Sequence, residues 1–227
     1  MRSLYHRHYE INQVGRDYVM GDLHGGYDEM FEFLEDLGFH FENDRLFSLG
    51  DIVDRGPKSL ECLKLIREPW FYAVQGNHED MMLNSILDGL DAEMWLANGG
   101  MWALDVVPDE LWELCNEVRK LPYAMTVETP EGKFGMCHAE PPTRRWSDVE
   151  HPTIYDVNVM LWARKLAKMA KSTGQSRHNI QIDGVVKVYC GHSVFKEVTH
   201  LGNITFIDTG CGFDFGRLSI MEISAGE

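Results

Sequence analysis

The sequence has no apolar run approaching the roughly 18 residues that a membrane span requires. Its start, Met1-Arg2-Ser3-Leu4-Tyr5-His6-Arg7, lacks the apolar segment of a secretory signal. Five cysteines are scattered without a Cys-x-x-Cys pair, which leaves no basis for a disulfide framework. Cys137 and Cys190 fall in apolar, strand-like runs, where a free thiol acts as a small hydrophobe. An odd count without a framework fits a reducing cytoplasm. Positive charge is scarce as well: 21 Lys and Arg against 36 Asp and Glu leave a formal charge of −15. That balance argues against nucleic acid as a partner, and an anionic substrate would need cations placed locally. No low-complexity tract and no linker divides the chain. A single domain over residues 1–227 is therefore expected, large enough for one substantial core. With 44% hydrophobic and 25% charged residues, disorder is not the default.

What is present is a plan used three times: a short apolar run, a polar loop bounded by glycine, then an amphipathic run. Asp17-Tyr18-Val19-Met20 leads into Gly21-Asp22-Leu23-His24-Gly25-Gly26, and Met30, Phe31, Leu34 and Leu37 follow at helical spacing. Arg45–Leu49 leads into Gly50-Asp51-Ile52-Val53-Asp54-Arg55-Gly56, and Pro57 opens a helical run from Ser59 to Ile66. Phe71–Val74 leads into Gly76-Asn77-His78-Glu79, with Met82, Leu83, Ile86 and Leu87 behind it. Parallel sheets built from such units bind ligands at the carboxyl ends of their strands. Asp22 and His24 stand two apart, so both can point the same way off an extended strand end.

Residues 1–16 are polar and aperiodic, and His6 and His8, with no carboxylate beside them, read as solvated. Residues 91–121 read as helical with a break at Gly99-Gly100; Trp95, Trp102 and Trp112 are taken as packing residues. The pattern then turns to strands. Tyr123–Glu128 and Lys133–Cys137 flank the turn Thr129-Pro130-Glu131-Gly132, and the second strand delivers His138. Val185–Tyr189 likewise precedes Gly191-His192, and Ile204–Ile207 and Leu218–Ile223 complete a strand-rich second half. A helix is expected over 156–171, with loops at 139–155 and 172–183.

Collected, the strand ends offer Asp22, His24, Asp51, Asn77, His138 and His192. Six mixed nitrogen and oxygen donors around a central carboxylate suit two cations rather than one zinc. Such a pair clamps a phosphoryl group and lowers the pKa of a shared water. Mixed donors favour Mn²⁺, with Fe or Zn as alternatives, over Mg²⁺, which prefers oxygen ligands and its own waters. His78 could protonate a leaving alcohol, with Asp54 holding its imidazole, or Asp54 could form a plain surface ion pair. Arg55 and Arg164 could grip phosphoryl oxygens, although Arg164 alone also reads as a helix-face charge.

The motifs Gly21-Asp22-x-His24-Gly25, Gly50-Asp51-x-x-Asp54-Arg55-Gly56 and Gly76-Asn77-His78-Glu79, with His138 and His192, resemble the PPP-type metallophosphatases. Trp162-Ala163-Arg164 and Ile207-Asp208-Thr209-Gly210 are most similar to the phage lambda-type and bacterial serine/threonine protein phosphatases. The resemblance implies an α/β fold, a calcineurin-like metallophosphoesterase β-sandwich flanked by helices, with βαβαβ metal-binding units. It implies one metal on Asp22, His24 and a bridging Asp51, and a second on Asp51, Asn77, His138 and His192. It further implies phosphoprotein or phosphopeptide substrates, including phosphoserine and phosphothreonine, sometimes phosphotyrosine, phosphohistidine and small aryl phosphates.

Three departures stand out. Gln75 stands where many relatives carry an arginine before Gly-Asn-His, and the loop at 139–155 has no firm match; Val194, where diesterases often carry the second histidine of Gly-His-x-His, favours monoesters. The alternative is a symmetric dinucleoside polyphosphate hydrolase of the same superfamily, whose second motif typically lacks the acid at Asp54. A binding module without activity would be marked by a missing ligand, and none is missing.

Overall fold

The computed structural model describes residues 5–172 and 180–224. Strands β2 (Asp17–Met20), β3 (Arg45–Ser48) and β4 (Phe71–Ala73) run parallel, and β10 (Ile220–Glu222) pairs antiparallel with β2. Helices α1 (Tyr27–Asp36), α2 (Ser59–Lys64) and α3 (Asn77–Asp88) follow β2, β3 and β4 in turn, the expected βαβαβ arrangement. A second sheet has the order β1-β5-β6-β7-β9-β8, from β1 (His6–Tyr9), β5 (Ala124–Thr129), β6 (Gly132–Cys137), β7 (Lys187–Cys190), β8 (Thr199–Leu201) and β9 (Ile204–Phe206). The β5–β6 hairpin is antiparallel, whereas β6, β7 and β9 are parallel.

Side-chain alternation along the strands builds four layers. In β2, Tyr18 and Met20 pack with Met30 and Leu34 of α1, while Val19 faces the other way. Val19 meets Phe47 of its own sheet and Met125, Val127, Phe134, Met136 and Tyr189 of the second, so this cluster joins the two sheets. The outer face of the second sheet, with Ala124, Cys137, Val188, Cys190 and Phe206, packs on α6 (Ile154–Trp162) and α7 (Lys165–Lys171). The result is helix–sheet–sheet–helix, the sandwich expected from the motifs. Each wholly buried large aliphatic or aromatic side chain contributes about 1.5–3 kcal/mol to it. All five cysteines are buried and free, and Cys137 and Cys190 are register partners with sulfurs 3.8 Å apart.

Five readings of the sequence are corrected. The aperiodic start contains β1, paired parallel with β5 in register His6–Ala124. Its His-Arg-His-Tyr run gives no apolar alternation to find, because only the pairing partner makes it a strand. His6 bonds Thr126 and His8 pairs with Glu128, so neither is merely solvated. The helix expected over 156–171 is broken: α6 ends at Trp162, Ala163 is extended, and Arg164 caps α7. The loop at 139–155 contains a 3₁₀ turn, Trp146–Glu150, anchored by a buried Trp146. Pro57 stands before the cap residue Lys58 rather than in the first turn of α2. Most of the loop expected at 172–183 lies outside the described residues.

The expected helical stretch 91–121 resolves into α4 (Ala92–Ala97), a 3₁₀ turn (Gly100–Asp105) and α5 (Pro108–Val118), the last begun by a proline at its first position. Among the described residues, no helix is long and apolar enough to cross a membrane.

Candidate metal centre and active site

The site lies where strands of both sheets end. Asp22 and His24 follow β2, Asp51 follows β3, Asn77 begins α3 after β4, His138 follows β6, and His192 follows β7 by two residues. The backbone there is strained. Among the described residues, six other than glycine have positive φ: His24 (43°), Asp51 (48°), Asp54 (73°), Arg55 (67°), His192 (63°) and Asp91 (53°). Five of these six are candidate site residues. Left-handed backbone is costly for any residue with a Cβ and persists only where surrounding contacts over-determine it.

Those contacts are on hand. The Asp51 carbonyl accepts from the backbone N–H groups of Leu23 (3.1 Å) and His24 (2.8 Å), tying the first loop to the second. The Glu79 carboxylate, wholly buried, accepts from the N–H groups of Asp51 (2.8 Å), Ile52 (2.9 Å) and Gly76 (2.8 Å), tying the second to the third. Glu79 received no role from the sequence. Its signal was there: it stands three residues after the N-cap Gly76, the spacing of a capping box. Burial and the charge of Asp51 push its pKa up to about 7.

At the centre, Asp51 faces two ways. Its Oδ1 is 3.4 Å from His138 Nε2, and its Oδ2 is 3.7 Å from His24 Nε2 and 3.9 Å from His78 Nε2. Two groups of potential ligand atoms share it: His24, Asp51 and His78, and Asp51, His138 and His192. Asn77 Oδ1 joins the second group, 2.8 Å from His138 Nε2, and His192 Nδ1 lies 3.2 Å from the same atom. Asp22 is buried alongside but outside both groups, where its oxygens accept the His192 N–H at 3.0 and 3.1 Å.

The donor set fits divalent cations. His24 Nδ1 donates to the Val53 carbonyl (2.9 Å) and His138 Nδ1 to the Leu49 carbonyl (2.8 Å), which leaves both Nε2 lone pairs turned toward Asp51. Imidazole lone pairs and carboxylate oxygens thus converge on one point, an arrangement that a cation satisfies. Burial lowers the pKa of His24 to about 3 and of His192 to about 2, and lowers that of His138, which keeps the rings in the neutral form that binds metal. Burial and the neighbouring Asp208 and Asp51 raise Asp22 well above the usual carboxylate range. Burial also works against an ionised Asp51, but His138, His78 and His24 outweigh it and hold its pKa down. The Arg55 guanidinium, resting against His24 Nε2 and 2.9 Å from His78 Nε2, puts a positive charge on this cluster.

Around the cluster stand the remaining candidates. His78 Nδ1 lies 2.6 Å from Asp54 Oδ2, and both residues are buried. Burial disfavours a protonated His78, but the charge of Asp51 and the bond to Asp54 prevail and raise its pKa. Asp54 is thus no surface ion pair. Arg164 Nη1 donates to the His192 carbonyl (3.0 Å) and Ser193 Oγ (3.2 Å), which it reaches from the break between α6 and α7 and not from a helix face. Gln75 donates to the Leu121 carbonyl (2.9 Å) and is buried. Trp95 and Trp102, taken as packing residues, in fact donate to Asp54: Trp102 Nε1 at 2.7 Å to Oδ1, Trp95 Nε1 at 3.2 and 3.0 Å to Oδ1 and Oδ2. Nothing local in the sequence joins them to a residue more than 40 positions earlier.

With this geometry in hand, likeness to known proteins becomes informative. The model of the calcineurin-like phosphoesterase family matches residues 17–218. The chain is 34% identical over 209 residues to serine/threonine-protein phosphatase 2 of Escherichia coli (strain K12), across 91% of this chain and 92% of that protein. It is 37% identical over 124 residues to the symmetrical bis(5'-nucleosyl)-tetraphosphatase of Haemophilus ducreyi, across 54% of this chain and 44% of that one. A solved serine/threonine phosphatase from Saccharomyces cerevisiae superposes with a TM-score of 0.62 at 16% identity, across 100% of this chain and 85% of that one.

Proposed function

Because the chain belongs to the calcineurin-like phosphoesterase family, we propose that it is a metal-dependent phosphomonoesterase acting on phosphoserine and phosphothreonine in proteins. Phosphotyrosine, phosphohistidine and small aryl phosphates are proposed as further substrates. The observation that carries the reading is the Asp54–His78 pair, 2.6 Å apart and buried beside Asp51. An alkoxide leaving group needs a proton, whereas a nucleotide leaving as phosphate is a good leaving group without one. A carboxylate-oriented imidazole therefore suits a monoester of an alcohol. Likeness to the E. coli phosphatase along nearly the whole chain supports the same choice.

Asp22, His24 and Asp51 would hold one ion, and Asp51, Asn77, His138 and His192 a second, with Mn²⁺ favoured and Fe or Zn as alternatives. The ions, when bound, supply positive charge to the phosphoryl oxygens and acidify water at neutral pH. Arg55 and Arg164 bind the phosphoryl oxygens that take no part in bond making, as charge-assisted donors. His78 donates its Nε2 proton to the departing oxygen, and Asp54 at Nδ1 fixes the ring and favours its charged form. The five free, buried thiols suit a cytoplasmic setting.

The partial match to the tetraphosphatase motivates the second reading, a symmetric dinucleoside polyphosphate hydrolase. Side-by-side turnover of a phosphoserine peptide and diadenosine tetraphosphate, with Mn²⁺ supplied, decides between them. The expected outcome is a higher kcat/KM for the phosphopeptide. The reverse order would replace the first reading by the second.

A further inference from the structure

We propose that Trp95 and Trp102 are positioning residues for proton donation: their indole N–H groups fix the Asp54 carboxylate in place against the His78 ring. The inference rests on the reading of His78 as the acid. Asp54 is wholly buried, and its two oxygens meet three donors: Trp102 Nε1 at Oδ1 (2.7 Å), Trp95 Nε1 at both oxygens (3.2 and 3.0 Å), and His78 Nδ1 at Oδ2 (2.6 Å). Among the described residues its only ion pair is with His78.

This choice of partners has a consequence. A buried carboxylate must be hydrogen-bonded, and arginine or lysine would be the usual donor. Either would form a competing ion pair and draw the Asp54 carboxylate away from His78. An indole N–H only donates and carries no net charge, so it satisfies the oxygens without a competing ion pair and leaves Oδ2 on His78 Nδ1. The two rings are perpendicular, with centroids 6.3 Å apart, so they approach the carboxylate from different directions. With His78 as the third contact, rotation of the carboxylate is blocked.

The stretch that delivers the indoles is built for close approach. Gly99 has φ 114°, and a Cβ there would lie 2.6 Å from the Arg55 nitrogen and 3.1 Å from Asp54 Cβ. A Cβ on Gly100 would fall 2.5–2.7 Å from atoms of the Trp95 ring. The Gly99-Gly100 break thus does more than end a helix. It lets the segment from Trp95 to Trp102 press onto the turn that carries Asp54 and Arg55.

The test is a set of single substitutions and one double-mutant cycle, read on two esters: a phosphoserine peptide, whose alkoxide needs a proton, and p-nitrophenyl phosphate, whose phenolate does not. Trp102→Phe should lower kcat on the peptide by about tenfold, a part of the roughly 10²–10⁴-fold that a general acid contributes, and change the aryl ester by less than about twofold. KM and metal content should stay unchanged. In an Asp54→Ala background, Trp102→Phe should have no further effect on the peptide, since the group it acts through is gone. Replacing Trp102 by 3-benzothienylalanine, with sulfur in place of N–H and nearly the same shape, should reproduce the selective loss even if Asp54→Ala fails to fold. Equal slowing of both esters, wild-type activity with the sulfur analogue, or full additivity with Asp54→Ala would each overturn the inference. His78→Asn serves as the reference. If it slows both esters equally, the reading of His78 fails and takes the inference with it. If it is selective and the Trp102 variants are not, the indole clamp alone is wrong.

Discussion

Replacing His78 by asparagine removes the proton donor and keeps a polar side chain of similar length at its base. The His78 backbone N–H would still donate to Asp51 Oδ1, now at 2.9 Å, so the turn between β4 and α3 should hold. The His78 imidazole is held at both nitrogens, with Arg55 Nη2 2.9 Å from its Nε2. Its Nδ1 is engaged by Asp54 at 2.6 Å, and the charge of Asp51 and the Asp54 bond overcome burial to raise its pKa. Loss of a general acid of this kind costs about 10²–10⁴ in rate. At about 1.36 kcal/mol per decade, even the lower bound is about 2.7 kcal/mol of transition-state stabilisation. The expected result is a fall in kcat of at least about a hundredfold on a phosphoserine peptide. On p-nitrophenyl phosphate the drop should be visibly smaller. Steady-state kinetics on both esters at saturating Mn²⁺, with elemental analysis of the same sample, measures this. Loss of a metal ion would show that His78 is a ligand, as its place in the group with His24 and Asp51 permits. Equal slowing of both esters would also refute the general-acid role.

Arg55→Ala or Arg164→Ala should weaken inhibition by inorganic phosphate and slow turnover by roughly tenfold or more, since a charge-assisted bond contributes about 1.5–3 kcal/mol. Both metals should remain, and wild-type kinetics for Arg164→Ala would leave it a purely structural brace of His192 and Ser193. Far from the site, burial disfavours an ionised Asp44, but the N–H groups of Arg16 (2.7 Å) and His40 (2.9 Å) and the Arg16 side chain outweigh it and lower its pKa. Its stabilisation is then full above the ordinary value of 3.8 and is lost as pH falls through the lower folded value. Asp44→Asn should therefore lower the Tm at pH 7, by about 1–3 kcal/mol in stability, with the gap closing in strong acid; a gap that widens on acidification would refute the assignment.

The motif loops were legible because the chemistry is written locally. Asp22, His24, Asp51 and Asn77 each sit within a few residues of an apolar strand and a glycine, and strand periodicity sends them to one edge. His138 and His192 were legible for the same reason in the second sheet. What the sequence hid is what depends on contacts across the chain. β1 is a strand only because β5 pairs with it. The break at Ala163-Arg164 has no glycine or proline to announce it, yet it brings Arg164 to the His192 carbonyl. Trp95 and Trp102 have the spacing of packing residues, and they do pack, but their N–H groups meet a carboxylate 41 and 48 positions away. A residue type with two roles cannot be assigned from periodicity alone.

The central claim, a phosphoesterase centre built for two ions around Asp51, is tested most directly by counting metal in active protein. Elemental analysis of enzyme purified with activity should find two transition ions per chain. Chelation should abolish turnover, and Mn²⁺ should restore it better than Mg²⁺. Fully active enzyme carrying one ion per chain, or none, would contradict the account.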